Sequence, residues 1–200
     1  MLEERPRRVG RRWLVAGAVG FVVLAGLFGI LLGVLSRGGD ADTVAAQEAA
    51  SPRQQAVALD QLLSGSRDDR RAVVRAVVSL EHCRDLGASR TALRRAASSR
   101  ETLVAKLGRL GVSKISGGAR LKGTLHEAWQ SSADADRAFA RWGDQVARAG
   151  CPGGHPKKAA AFREGVRSSA DASRAKKSFV ARWNDVADRF GLKARSASQI

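Results

Sequence analysis

The residue types in this chain best suited to hold a metal or carry a nucleophile are three histidines, His82, His126 and His155, and two cysteines, Cys83 and Cys151. His82 and Cys83 are adjacent, and neighbours on a helix point about 100° apart, so they do not form a ligand pair. No Glu-x-x-His pair of the di-iron type occurs, and no His-Glu-x-x-His of the zinc-peptidase type. Glu81, Glu101, Glu127 and Glu164 fall on different predicted helices, without the pairing that glycoside cleavage requires. Gly117-Gly118 and Gly153-Gly154 read as turn glycines rather than phosphate loops, and there is no Gly-x-Ser-x-Gly elbow. The sequence therefore points to a protein that is not an enzyme and uses no metal or cofactor. Three tryptophans remain. Trp142 and Trp183 sit on apolar stripes and are expected in the core. Trp129 lies at a stripe's edge, which makes it the candidate partner anchor, because exposed tryptophans often carry interface energy. Asn184, beside Trp183, is expected to cap or bond a neighbouring helix.

These residues belong to helices. A first helical region spans about Arg53 to Arg84, with Ala56, Leu59, Leu62 and Leu63 inward. Gly65-Ser66 interrupts it, Ser66 being a good N-cap, and Val73, Val74, Val77, Val78 and Leu80 line the continuation. After a break near Asp85-Leu86-Gly87, a second helix capped by Ser89 runs to about Leu110 on Leu93, Ala96, Leu103 and Leu107. The third, about Ala119 to Ala149, carries Leu121, Leu125, Ala128, Ser132, Ala135, Phe139, Trp142 and Val146. Its alternating steps of four and three make the seam of a bundle helix. The last covers about Pro156 to Phe190, with Phe162, Val166, Ser169, Ala172, Phe179, Trp183, Val186 and Phe190 inward. Residues 196–200 are expected to be loose. No stretch alternates with period two.

Four helices joined by short loops imply an up-down-up-down bundle. In that topology the first and third helices end at one pole, which brings Cys83 and Cys151 together as a disulfide. The bridge would close a loop of nearly seventy residues. The third and fourth helices also share a pattern. Ser131-Ser132-Ala133-Asp134-Ala135-Asp136-Arg137-Ala138 matches Ser168-Ser169-Ala170-Asp171-Ala172-Ser173-Arg174-Ala175 at all but one position, and Ala-Arg-Trp follows in each. Duplication, or small residues for close packing with Trp as a terminal plug, explains this equally well.

Residues 13–35, Trp13 to Leu35, form an uncharged apolar run that as a helix would reach ~35 Å, enough to cross a bilayer core of ~30 Å. Arg5, Arg7, Arg8, Arg11 and Arg12 precede it, which predicts a cytoplasmic N-terminus and an extracytoplasmic remainder. A cleaved signal peptide is the competing reading, but its apolar core would be only ~7–15 residues long. Ala25, Gly29 and Gly33 recur every four residues, a seam through which two membrane helices could pack as a homodimer. The division is then a basic tail 1–12, a transmembrane helix 13–35, a juxtamembrane linker 36–52, a helical bundle 53–195 and a loose end 196–200. The formal charge is +16, and all but the tail's share of it falls on the outer part. Anionic wall polymers, lipid headgroups or nucleic acid would suit such a balance. The basic residues are interleaved with acids such as Asp68, Asp69, Asp134, Asp144 and Asp185, however, as on a solvated surface.

The block Phe179-Val-Ala-Arg-Trp183-Asn184-Asp-Val186-Ala187 followed by Gly191-Leu192, with the two cysteines, resembles a group of uncharacterised actinobacterial proteins. These are small, basic, helical envelope proteins with one N-terminal membrane segment, and the resemblance implies no activity. The expected fold class is all-α, with an N-terminal transmembrane helix and a disulfide-linked four-helix bundle. The expected function is an anchored extracytoplasmic interaction domain that presents a basic bundle to a protein or an anionic wall polymer. The alternative is a sensory or accessory subunit of a membrane complex. Nucleic-acid binding would need the inverted orientation, and no recognised binding motif supports it.

Overall fold

The computed structural model describes residues 50–65 and 69–200. The expected tail 1–12, membrane helix 13–35, the Ala25, Gly29 and Gly33 seam, most of the linker and the Ser66 cap all lie outside the described residues. Among the described residues no helix is long and apolar enough to cross a membrane. Regular structure there is entirely helical: α1 Pro52–Ser64, α2 Asp69–Glu81, α3 Leu86–Arg109, α4 Gly118–Ala149 and α5 Ala160–Phe190, with 3-10 turns at Pro152–Gly154 and Ala197–Gln199.

Two apolar clusters set the direction of each helix. The first joins Ala56, Leu59 and Leu63 of α1, Leu103 and Leu107 of α3, Leu121, Leu125 and Trp129 of α4, and Phe179, Trp183 and Val186 of α5. The second joins Ala76 and Leu80 of α2, Leu93 of α3, Phe139, Trp142 and Val146 of α4, and Ala161 of α5. The early half of α4 thus packs on the late halves of α3 and α5, so both neighbours run antiparallel to it. The result is up-down-up-down, but the first arm is two helices, α1 at one pole and α2 at the other. α1 starts on a capping box: the Ser51 hydroxyl accepts from the Gln54 amide at 3.3 Å, and Gln54 Oε1 accepts from the Ser51 amide at 2.8 Å.

Close approach depends on glycine at Gly118, which lies against the Val112 carbonyl, and at two contacts between helices. A Cβ on Gly165 would lie 2.7 Å from the Phe139 ring, and one on Gly143 would lie 2.7 Å from Arg90 Cγ. Phe139 and Trp142 meet Phe162 edge-on at 6.0 and 4.8 Å, which seats the start of α5.

Several sequence expectations need correcting. Asp85, which makes no side-chain cap bond, holds the N-cap position of α3, and Ser89 is buried inside the helix. α5 begins at Ala160, because residues 155–159 run without helix after the Pro152–Gly154 turn. Val74, Val78 and Val166 are exposed, not inward. The C-terminal segment is not loose. Asn184 Nδ2 donates to the Arg195 carbonyl at 3.2 Å, and the Arg195 amide returns a bond to Asn184 Oδ1 at 2.9 Å. The Arg195 guanidinium is buried against Asp60, 2.5 Å from its Oδ1, and bonds Ser64 Oγ at 2.9 Å. Ile200 is buried as well, in the first cluster.

Cys83 and Cys151 are bonded, with Cα atoms 6.3 Å apart. Cys83 leaves α2 in a left-handed conformation, φ 52°, and Asp85 follows at φ 47°, so the turn into α3 is held in a region that side chains disfavour. A bridge over a sequence separation of 68 should contribute ~4 kcal/mol by restricting the unfolded chain. Cys83→Ser with Cys151→Ser is expected to lower the unfolding free energy by about that amount in urea titrations. An unchanged midpoint would show that packing alone holds this pole.

Candidate functional site

Midway along the bundle the two apolar clusters are separated by polar side chains. Arg100 of α3 forms a buried ion pair with Asp136 of α4 and donates a second bond to the Ala96 carbonyl at 3.4 Å. Lys176 of α5 lies at the same level, only 8% exposed. These residues line a cavity of about 330 Å3, together with Ser132 of α4, Ser169, Ala172, Ser173 and Lys177 of α5, Arg70, Val73 and Val74 of α2, and Ala197 and Ser198 of the C-terminal turn. Exposed Arg70, Val74, Ser173 and Lys177 lie at its outer side.

The helices make this space because their middle positions are small or polar. Ser132 and Ser169 hold equivalent places in the two similar sequence blocks, as do Ala135 and Ala172. The one position at which the blocks differ, Asp136 against Ser173, also faces the cavity. Ser132 Oγ donates to the Ala128 carbonyl and Ser173 Oγ to the Ser169 carbonyl, each at 2.8 Å, so both hydroxyl protons are engaged within their own helices. Ser169 Oγ and the Lys176 ammonium make no hydrogen bond among the described residues, and Lys176 makes no ion pair there.

The electrostatics are unbalanced. Among the described residues, Arg70, Arg100, Lys176 and Lys177 line the cavity against one carboxylate, Asp136. Burial pushes the Lys176 ammonium down from 10.5 to about 8. Arg100 and then Arg70 add repulsion, and the charge of Asp136 partly offsets it. The arrangement can hold a small anion, or present a partly neutral amine to one.

The residues singled out from sequence are placed differently. Trp129, expected at an exposed edge, is 1% exposed and packs in the first cluster, which corrects its reading as a partner anchor. The stripe is wider than its central line of Leu125, Ala128 and Ser132, so a flanking position is interior. Its Nε1 has no hydrogen-bond partner. Trp142 and Trp183 are core, as expected, and each donates its indole N–H to the chain leaving its own helix. Trp142 bonds the Lys157 carbonyl at 2.9 Å, and Trp183 the Lys193 carbonyl at 3.2 Å. His82 and His155 share a shallow surface recess with Glu81 and Lys158, while His126 lies beside Lys122 in another. No group of three or more metal-ligating side chains occurs among the described residues. Sequence reasoning missed Arg100, Asp136 and Lys176, and the signal that pointed to their layer was the repeated Ser-Ser-Ala-Asp-Ala block.

The fold and site define a disulfide-linked helical bundle with a cationic cavity across its middle. Comparison with known proteins finds no match to a family, a curated sequence or a solved structure.

The buried ammonium makes stability depend on pH. Its folded value lies below the unfolded one, so the unfolded state binds more protons between about pH 8 and 10.5, and stability rises with pH across that window. Below pH 8 the cost of the buried charge is fully present. Lys176→Met is expected to stabilise the protein at pH 7 by up to ~3 kcal/mol and to flatten the rise, as measured by urea unfolding at several pH values. A wild-type profile already flat between pH 8 and 10.5 would mean that Lys176 titrates in the fold as it does in the unfolded chain.

Proposed function

We propose that this chain is a membrane-anchored extracytoplasmic domain that binds a partner and catalyses no reaction. The disulfide carries the reading: bonded cysteines belong to oxidising compartments, and Cys83 and Cys151 are the only cysteines of the chain. The apolar run 13–35, with five arginines before it, would place the bundle on that side of a membrane. α1 begins at Pro52 and packs in the first cluster, so the linker would enter at the pole opposite the bridge. The resemblance to basic helical envelope proteins agrees with this location.

The partner would be an envelope protein or an anionic polymer. Bulk positive charge is also what a solvated surface carries; the cationic lining of the cavity is the more specific feature. The membrane segment would contribute attachment, and through Ala25, Gly29 and Gly33 a self-association seam.

Labelling of intact cells with a membrane-impermeant maleimide tests the location. Modification only after reduction of the cells is expected, and carbonate washing should leave the chain in the membrane fraction, whereas a variant lacking residues 1–35 should not be retained. Thiols that react only after lysis, without reductant, would place the bundle in the cytoplasm and remove this reading.

A further inference from the structure

We infer that the mid-bundle cavity is a binding site for a small phosphate-type oxyanion, seated between Lys176, Arg100 and Arg70 and held by the Ser169 hydroxyl. The inference rests on the cavity alone and stands whichever side of a membrane the bundle occupies.

Charge comes first. Arg100 and Lys176 are both at least nine-tenths buried, and among the described residues the buried layer supplies one carboxylate between them. Asp136 is paired with Arg100, which leaves the Lys176 ammonium without a contact partner among the described residues. A buried charge is costly unless it is paired and hydrogen-bonded. Arg70 and Lys177 add two more cations at the outer side, so the described lining has an excess of positive charge that an entering anion would neutralise.

Donor geometry comes second. Arg100 uses Nη1 on Asp136 and the Ala96 carbonyl, and its Nε and Nη2 carry no hydrogen bond among the described residues. With the three protons of Lys176, the Ser169 hydroxyl and the Arg70 fork, donors reach the space from α2, α3 and α5. Donors arriving from several directions suit a tetrahedral anion with four oxygens better than a planar carboxylate with two. Size comes third. About 330 Å3 lies at the small end of ligand pockets, which fits phosphate or a compact phosphomonoester and leaves no room for a nucleotide-sized ligand to be enclosed.

Two groups explain why Lys176 is the centre of the site. Arg100 is fixed by Asp136 and Arg70 is exposed, whereas Lys176 is 8% exposed and has no ion pair or hydrogen bond among the described residues. The charged groups facing it are Arg70 from α2, Arg100 from α3 and Asp136 from α4, with Lys177 on its own helix. An anion bound among them would favour the charged ammonium, so binding above pH 8 should take up a proton.

The test is calorimetric titration of the full chain in neutral detergent with inorganic phosphate and, in parallel, glycerol 3-phosphate, at fixed ionic strength set with chloride. Saturable binding of one anion per chain is expected, with proton uptake at pH 8.5 read from buffers of different ionisation enthalpy. Lys176→Met, which should remain folded, is expected to weaken binding by about tenfold or more, and Lys106→Met, on the exposed face of α3, should leave it unchanged. Tighter binding of glycerol 3-phosphate would identify a phosphoryl group on an organic carrier as the source, and tighter binding of inorganic phosphate would identify the free ion. Absence of saturable binding by either anion, or equal losses in the two lysine variants, would overturn the assignment.

Discussion

The Arg100–Asp136 ion pair is the constraint around which the bundle is arranged. It lies inside the packed helices, and a buried pair is tolerated only when both charges are kept together. It therefore fixes the register of α3 against α4 at mid-height and prevents one continuous apolar core. The hydrophobic residues divide into a cluster at each pole, and each cluster needs its own closure. At the pole of α2 the closure is covalent, Cys83 to Cys151. At the pole of α1 it is polar: Asn184 and Asp60 draw Arg195 down and bring the C-terminal segment against the bundle.

α4 and α5 solve the same problem with the same residues. Each has small side chains at its middle, then a phenylalanine, then a tryptophan toward its end. In each, the indole N–H bonds a carbonyl of the segment that follows the helix, so one side chain both fills the core and sets the path of the departing chain. Because the two helices are antiparallel, the tryptophans serve opposite clusters while the serine blocks meet in the middle. The similarity between the blocks thus has a shared structural job, and its consequence is the cavity.

Much of this was legible in the sequence, for identifiable reasons. The stripe from Leu121 to Val146 repeats at helical spacing over eight positions, so the face of α4 could be read directly. The disulfide followed from topology, since helix ends alone bring Cys83 to Cys151. What periodicity does not encode was misplaced. Trp129 reads as a stripe's edge because a stripe has no marked width, and the C-terminal segment reads as loose because its anchors, Asp60 and Asn184, are polar residues on other elements. Arg100, Asp136 and Lys176 were passed over for a similar reason. Charged residues read as solvent-facing until three helices are seen to place them at one level.

The three do not have equal standing in the fold. Register between α3 and α4 is accounted for by Arg100 and Asp136, which form a buried ion pair. Ser132 and Ser173 close their hydroxyls onto their own helices and impose nothing on their neighbours. Lys176 makes no comparable contribution. It has no paired acid among the described residues, its ammonium is repelled by Arg100 and Arg70, and an apolar side chain of similar length would remove that cost. Packing therefore explains why α5 has a long side chain at this position, because the space must be filled, but it does not explain why that side chain ends in a charge. An anion in the cavity supplies the missing reason, since it turns the least favourable group in the core into the one that recognises a ligand.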